Sequence, residues 1–431
     1  MTGRSNRCCR AVILGLTVGV LALAATDRAN AEAQLLIEAS TGKVLHAENA
    51  TYPWYPASVT KLMTAYTTLR AVKEGRLAFN TLLPISRNAA AQQPTKMGFK
   101  VGATVTVDNA LKMLMVKSAN DIAVAIAEGV GGSIAGFADL MNANARRLGM
   151  SQSNFVNPNG LPAENHISSA RDLGILARAL IREFPEYDSY WHISSIRYGN
   201  RVMRNYNSLI DRYPGADGMK TGFICASGYN VVASATRNGR RLIAVILGSW
   251  SGAVRAQKAA QLLERGFNSG GLSWLTPSLG TVDALAPIDS QPPNLREEMC
   301  GGHRRKPPSD ENEEEPEEST TAATGEPQNG QAFMLSSLKP ANGKFVLGPP
   351  VETTPPVVVF TGPADHPDPV VAQTASAAPK KKKKTAAKTE GGEKPAKGAA
   401  AEKPKKTDDA KPAKAAKPAK QPKPKVTSST Q

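Results

Sequence analysis

Between residues 32 and 275 the chain alternates two kinds of apolar spacing. Residues 34–39 (Gln-Leu-Leu-Ile-Glu-Ala) and 43–47 (Lys-Val-Leu-His-Ala) flank Ser40-Thr41-Gly42, a strand–turn–strand pattern. A second pair, 229–236 and 241–250, flanks Asn238-Gly239. Both residues of that dipeptide tolerate positive φ, as a two-residue hairpin requires. Between the pairs the spacing becomes three and four, as in Val59, Leu62, Tyr66 and Leu69, and with gaps in Phe137, Met141 and Leu148. That is a helix face. Asp108 and Ser133 are expected as N-caps, Gly75 and Gly149 as stops. Strands from both ends of the segment with helices between predict an α+β arrangement, one antiparallel sheet closed by distant segments.

Composition limits this body to residues 32–275. Of 31 prolines, 22 lie at or beyond Pro287, and beyond it only Phe333, Phe345 and Phe360 are aromatic. Residues 276–379 read as a Pro-rich linker carrying an acidic block at 310–318, and 380–431 as a Lys/Ala/Pro tail. Such chain buries too little to offset its ordering entropy, so a disordered C-terminal third is expected. Residues 1–31 read as a secretory signal: Arg4, Arg7 and Arg10, an uncharged run at 11–25, then Ala29-Asn30-Ala31. Export to the periplasm follows, with no transmembrane helix left after cleavage.

Charge is divided the same way. The net +16 includes 17 lysines against five acids in the tail and four arginines against one aspartate in the signal, which leaves the body near +1. A positive face for nucleic acid is therefore not expected, and an exported tail rarely meets DNA. Its lysines suit a solvated spacer or electrostatic contact with anionic envelope components. After cleavage two cysteines remain, Cys225 and Cys300. Cys300 falls in chain read as flexible, so the pair is expected to stay unbridged, with Cys225 a buried inert thiol. The five scattered histidines suggest no metal site, and no cofactor is implied.

Three short motifs carry chemistry. Pro56-Ala-Ser-Val-Thr-Lys61 opens the first long helix, and residues i and i+3 share a helix face, so Ser58 and Lys61 bring a hydroxyl beside an amine. A serine nucleophile needs a base. At the ordinary lysine pKa only about 4 in 10⁴ side chains are neutral at pH 7, a deficit of about 4.6 kcal/mol. Burial and a second cation would reduce it. Taken singly, Ser58 and Lys61 read as a capping serine and a solvated lysine, and Ser336-Ser-Leu-Lys339 repeats the spacing by accident. Ser118-Ala-Asn120 follows an amphipathic stretch, and alone it too would be a cap. Gly218-Met-Lys-Thr-Gly-Phe223 begins the first strand of the late hairpin. There Lys220 supplies the missing cation, and Gly222 leaves room for a substrate along the strand edge.

In this order the motifs resemble those of the penicilloyl-serine enzymes, within them the serine-type D-alanyl-D-alanine carboxypeptidases, or low-molecular-mass penicillin-binding proteins. Residues 33–47, 154–162, 168–173 and 226–235 support the resemblance, which covers about 32–275. It implies a β-lactamase/transpeptidase-like fold, an antiparallel five-stranded sheet flanked by helices plus an all-helical lobe. The implied substrate is a peptidoglycan stem peptide ending in D-Ala-D-Ala, with β-lactams as covalent inhibitors. The role is cell-wall remodelling and maintenance of cell shape.

By the same resemblance Ser58 attacks the carbonyl of the penultimate D-alanine and Lys61 takes its proton. Ser118 relays a proton to the departing D-alanine, and Asn120 holds the substrate amide. Lys220, with Thr221 and Gly222 on the same strand, receives the terminal carboxylate. The N–H groups of Ser58 and Phe223 form the oxyanion hole. Arg255 matches an arginine near that carboxylate, a solvated first-turn residue being the alternative. His166, in the loop after 154–162, is read as structural. No sheet pattern or amphipathic end is legible after Pro287, so attachment by a terminal helix is not expected. Glu164 lacks the Glu-x-x-Leu-Asn context of class A β-lactamases, which disfavours β-lactamase activity. A D,D-endopeptidase remains the near alternative, and a wall-binding protein with a vestigial site the distant one.

Overall fold

The computed structural model describes residues 32–269, 278–302, 347–351 and 354–369. The expected signal, the acidic block and the lysine-rich tail lie outside these residues. The chain opens with the expected hairpin, β1 (Ala33–Glu38) and β2 (Val44–Glu48). A 3₁₀ turn, Ala57–Thr60, then leads into α1 (Lys61–Lys73). β3 (Leu82–Pro84), α2 (Arg87–Ala90) and β4 (Thr104–Thr106) follow. Next come α3 (Val107–Val116), α4 (Asn120–Gly131), α5 (Ile134–Leu148) and α6 (Ala170–Glu183). A small hairpin, β5 (Ser195–Tyr198) and β6 (Arg201–Arg204), precedes the long strands β7 (Ala216–Ile224), β8 (Gly228–Arg237) and β9 (Arg240–Ser249). α7 (Gly252–Asn268), the short α8 (Arg296–Cys300) and β10 (Val357–Val358) complete the described chain.

The main sheet runs β2-β1-β9-β8-β7, all antiparallel. Strands from the two ends of the body meet as β1 on β9, as the sequence pattern predicts. β8 and β9 are central and buried on both faces, so they read as continuous apolar runs. Their alternation assigns the layers. Val232, Ile243, Val245 and Leu247 join Leu35 and Ile37 in the core shared with α6 and the helical lobe. Val231, Ala233, Ala235, Ala244 and Ile246 face Ala256, Ala259, Ala260 and Leu263 of α7. At the β8–β9 turn both Asn238 (φ 50°) and Gly239 (φ 75°) take positive φ, the hairpin conformation that dipeptide favours.

In the helical lobe α4, apolar around most of its circumference, is buried among α1, α3 and α5. Ser133 caps α5 through the Gly136 N–H at 3.0 Å, and Gly149 ends it in the left-handed conformation (φ 75°). Gly75 (φ 71°) follows the end of α1. The expected cap at Asp108 is displaced: Thr106 accepts from the Asn109 N–H at 3.2 Å. Asp108 sits in the first turn, where a carboxylate still favours the helix dipole.

One expectation for the chain after 275 is corrected. Cys225 and Cys300 form a disulfide with Cα atoms 5.7 Å apart. The bridge is possible because residues 294–300 are held at the β7–β8 turn. The Leu295 N–H donates to the Ala226 carbonyl at 3.0 Å, and Met299 is buried. Farther on, β10 adds in parallel to the edge of β5, and the Gly362 N–H reaches the Thr104 carbonyl at 2.8 Å. Composition missed these pieces because they dock largely through backbone hydrogen bonds to existing edges, which require few large side chains.

Candidate active site

The chain around Ser58 is gripped before it reaches the helix. The indole of Trp54 donates to the Ser227 carbonyl at 3.0 Å. The side-chain amide of Asn230, buried in β8, donates to the carbonyls of Tyr55 and Pro56 at 3.0 and 3.3 Å. Ala57 then turns at φ 49°, a left-handed conformation costly for a residue with a Cβ. Two glycines make room for that turn. A Cβ on Gly160 would lie 1.8 Å from the Ala57 carbonyl oxygen, and one on Gly222 would lie 2.7 Å from the Ser58 nitrogen. Ser58 is thus the half-buried member of a turn whose neighbours are buried.

Lys61, at the start of α1, is fully buried, so the solvated-lysine alternative fails. Its Nζ lies 2.9 Å from Ser58 Oγ, 2.8 Å from Asn120 Oδ1 and 2.8 Å from the Asn159 carbonyl oxygen. The latter two can only accept, whereas a hydroxyl can also donate. An ammonium would donate to all three. A neutral amine, with two N–H groups and one lone pair, would donate to Asn120 and Asn159 and accept from Ser58. A proton can therefore pass from Ser58 to Lys61 along an existing contact while the other two stay in place.

Asn120 opens α4, and its amide is oriented from both ends, because Nδ2 donates to the Gln93 carbonyl at 2.9 Å. Ser118 is buried between α3 and α4 at φ 57°, and its carbonyl accepts from the Thr95 hydroxyl at 2.7 Å. That irregular joint, rather than a helix cap, is where the second motif lies.

The loop 154–162 passes beneath the turn carrying Ser58 and is tied to α1. Besides the Asn159 carbonyl on Lys61, the Thr64 hydroxyl donates to the Pro158 carbonyl at 2.6 Å. His166 closes the loop. Its Nδ1 accepts from the Val156 N–H at 3.0 Å, so Nε2 carries the hydrogen and donates to Thr60 Oγ1 at 2.8 Å. Burial, and then the nearby Lys61 charge, push the imidazole down to about 4, which keeps it neutral at physiological pH. Both ring nitrogens of His166 are thus engaged in holding this loop to the turn before α1.

β7 is the sheet's outer strand, Gly222 paired with Asn230 and Phe223 with Tyr229. Lys220 is buried and donates to the Thr221 carbonyl at 3.0 Å. The Thr221 hydroxyl is buried with no hydrogen-bond partner among the described residues, a condition that a bound acceptor would relieve. Phe223 and Tyr229 place their ring centroids 4.3 Å apart, and the Arg255 guanidinium lies 5.6 Å from the Tyr229 ring. Arg255 is buried, not solvated, and donates to the carbonyls of Asn230 and Tyr206 at 3.4 Å each.

Sequence reasoning missed Asn159, Asn230 and Tyr206. Asn159 acts through its backbone carbonyl, which no residue identity signals. Asn230 did leave a signal, a lone amide within the buried run 229–235. Tyr206 connects the lobes: its hydroxyl accepts from Lys117, next to Ser118, at 2.7 Å, while its carbonyl receives Arg255.

A serine hydroxyl on a buried amine three residues away, on a turn against the outer strand of a five-stranded sheet, defines an active-serine site of the Ser-x-x-Lys class. A family model described as D-alanyl-D-alanine carboxypeptidase matches residues 21–251. The chain belongs to that family. It is 34% identical over 249 residues to D-alanyl-D-alanine carboxypeptidase DacC of Escherichia coli, covering 55% of this chain and 61% of that protein. The match thus spans about three-fifths of that curated relative's length. Among solved structures, D-alanyl-D-alanine carboxypeptidase DacD from Francisella tularensis aligns at a TM-score of 0.54 and 31% identity, covering 57% of this chain and 72% of that one. Penicillin-binding protein D2 from Listeria monocytogenes in its cefotaxime-bound form aligns at 0.50 and 29%, covering 55% and 96%.

Proposed function

We propose that the chain is a serine-type D-alanyl-D-alanine carboxypeptidase that removes the terminal D-alanine from peptidoglycan stem peptides. The observation that carries this reading is Ser58 Oγ at 2.9 Å from an amine that is itself fully buried. Ser58 Oγ bonds to the carbonyl carbon of the penultimate D-alanine as its proton passes to Lys61. Collapse of the tetrahedral adduct breaks the peptide bond, and the departing D-alanine takes a proton through Ser118. Water then cleaves the ester. The oxyanion hole is formed by the N–H groups of Ser58 and Phe223, and losing one such donor typically costs about 10²–10³ in rate. Lys220 and the unpartnered Thr221 hydroxyl receive the terminal carboxylate, with Arg255 supporting that end of the strand through Tyr229. Lys220 also supplies the second cation that favours a neutral Lys61.

β-Lactams would acylate Ser58 and be released slowly, because Glu164 lacks the sequence context of a deacylating glutamate. The role in wall remodelling and cell shape, and the exported, periplasmic location, belong to this reading. The location rests on the pattern of residues 1–31. Contact of the lysine-rich tail with anionic envelope components rests on composition alone.

The test is to label the protein with a fluorescent penicillin and to assay D-alanine release from a pentapeptide. Lasting label on Ser58 together with release supports the proposal. Rapid loss of label without release would instead indicate a β-lactamase, and absence of label a binding protein.

A further inference from the structure

A cavity of about 320 Å³ opens at the end of β7 beyond Phe223. Its lining includes Ala57, just before the nucleophile, Ile224 and Ala226 at the strand's end, and Leu161 from the loop beneath Ser58. Arg296 and Glu164 bring unlike charges to the same lining. Both are exposed, and neither side chain has a hydrogen-bond or ion-pair partner among the described residues. Arg296 comes from the segment after the catalytic body and is held in place there. Cys300 is bridged to Cys225, Leu295 bonds to Ala226 at 3.0 Å, and buried Met299 lies where a Cβ on Gly228 would meet it at 2.8 Å.

The direction of the substrate follows from the strand, and this step rests on the carboxypeptidase reading. With the terminal carboxylate at Lys220 and Thr221 and the scissile carbonyl at Ser58 and Phe223, the acyl portion must continue past Ile224. At about 3.3 Å per residue along a strand edge, the next residue or two reach the cavity.

We propose that this cavity is an acyl-side subsite for a stem-peptide residue whose side chain ends in an amino-carboxylate group. Its carboxylate faces Arg296 and its ammonium faces Glu164. A neutral side chain leaves both charges unmatched, and a lysine satisfies only Glu164. The disulfide-held segment is thereby part of the specificity apparatus.

Three acetylated tripeptides of the form X-D-Ala-D-Ala test this on the full chain. In one, the side chain of X ends in an amino-carboxylate; in the others X is lysine or norleucine. The unaltered protein should favour the first over norleucine by about two- to thirty-fold in kcat/KM, the range expected for two solvent-accessible charge pairs. Arg296→Ala should bring the amino-carboxylate peptide down to the lysine peptide. Glu164→Gln should lower both charged peptides and spare norleucine. Equal turnover of all three peptides, or an equal loss on all three in either variant, would overturn the subsite and leave the carboxypeptidase reading standing. Failure to release D-alanine from any of them would overturn both.

Discussion

Gly222→Ala separates the integrity of the fold from the placement of the nucleophile. The added Cβ would lie 2.7 Å from the Ser58 nitrogen, 2.9 Å from the Val59 nitrogen and 3.2 Å from the Ala57 Cβ. Ordinary contact begins near 3.4 Å, so something must move by about 0.7 Å. β7 cannot easily yield, because it is paired with β8 from Ala216 to Ile224. The turn carrying Ser58 is the softer side, and shifting it disturbs the 2.9 Å contact with Lys61. Misplacement on this scale costs about 10²-fold in rate, or about 2.7 kcal/mol of barrier. Stopped-flow acylation by a fluorescent penicillin reads the effect, with thermal unfolding as the check on folding. Gly239→Ala is the matched control. It lies at φ 75° with nothing within 4 Å of its Cβ position, so it should cost about 1–2 kcal/mol of stability through the left-handed backbone alone and leave acylation unchanged. If Gly222→Ala folds normally and acylates within three-fold of the parent, the packing argument is wrong.

Other outcomes follow from the same contacts. Lys61→Ala should lower acylation by about 10²–10⁴, and Lys61→Arg should not rescue it, because a guanidinium stays protonated; recovery with arginine in the penicillin-labelling assay would contradict the base assignment. His166 is held down at about 4 against an ordinary 6.5. The unfolded chain therefore binds this proton first, and stability falls as pH drops from about 6.5 towards 4, by roughly 3 kcal/mol from this group. Urea titrations of the parent and His166→Gln should show a flatter pH dependence in the variant over that window. Removing the disulfide by the pair Cys225→Ser and Cys300→Ser frees a loop of sequence separation 75. The unfolding free energy should fall, by up to about 4.5 kcal/mol in the chain-entropy account; no change in urea melts would show that the segment is held without the bridge.

Much of the fold was legible because its signals are periodic or local. Alternation gave the two hairpins, Asn238-Gly239 gave the tight turn, and three-and-four spacing gave α1. The contacts of Lys61 with Ser58 and Asn120 were legible because they are made by side chains at motif positions, and each motif answered a chemical need raised by another. The less legible features depend on what surrounds a residue. Asp108 has the composition of a cap, but β4 runs to Thr106, so the helix begins two residues earlier. Arg255 resembles any first-turn arginine until the carbonyls of Asn230 and Tyr206 are brought to it by β8 and by the chain before β7. Cys300 lies among prolines and charges, and only the backbone bond at Leu295 and the burial of Met299 place it beside Cys225.

The same distinction explains why the turn at Ser58 needs so many supports. Ala57 adopts a left-handed conformation that a residue with a Cβ avoids, and conformations of this kind persist only where the surroundings over-determine them. Three chain-distant pieces do so: the Asn230 amide from β8, the loop closed by His166, and the edge of β7 at Gly222. Each also bears on chemistry. The loop that accommodates Ala57 at Gly160 offers the Asn159 carbonyl to Lys61. The strand that clears Ser58 at Gly222 carries Lys220 and Thr221. The strand that anchors Tyr55 and Pro56 carries Tyr229, which lies between Phe223 and Arg255. Holding the strained turn and assembling the site are one structural requirement, which is why the motifs are far apart in sequence and meet at a single serine.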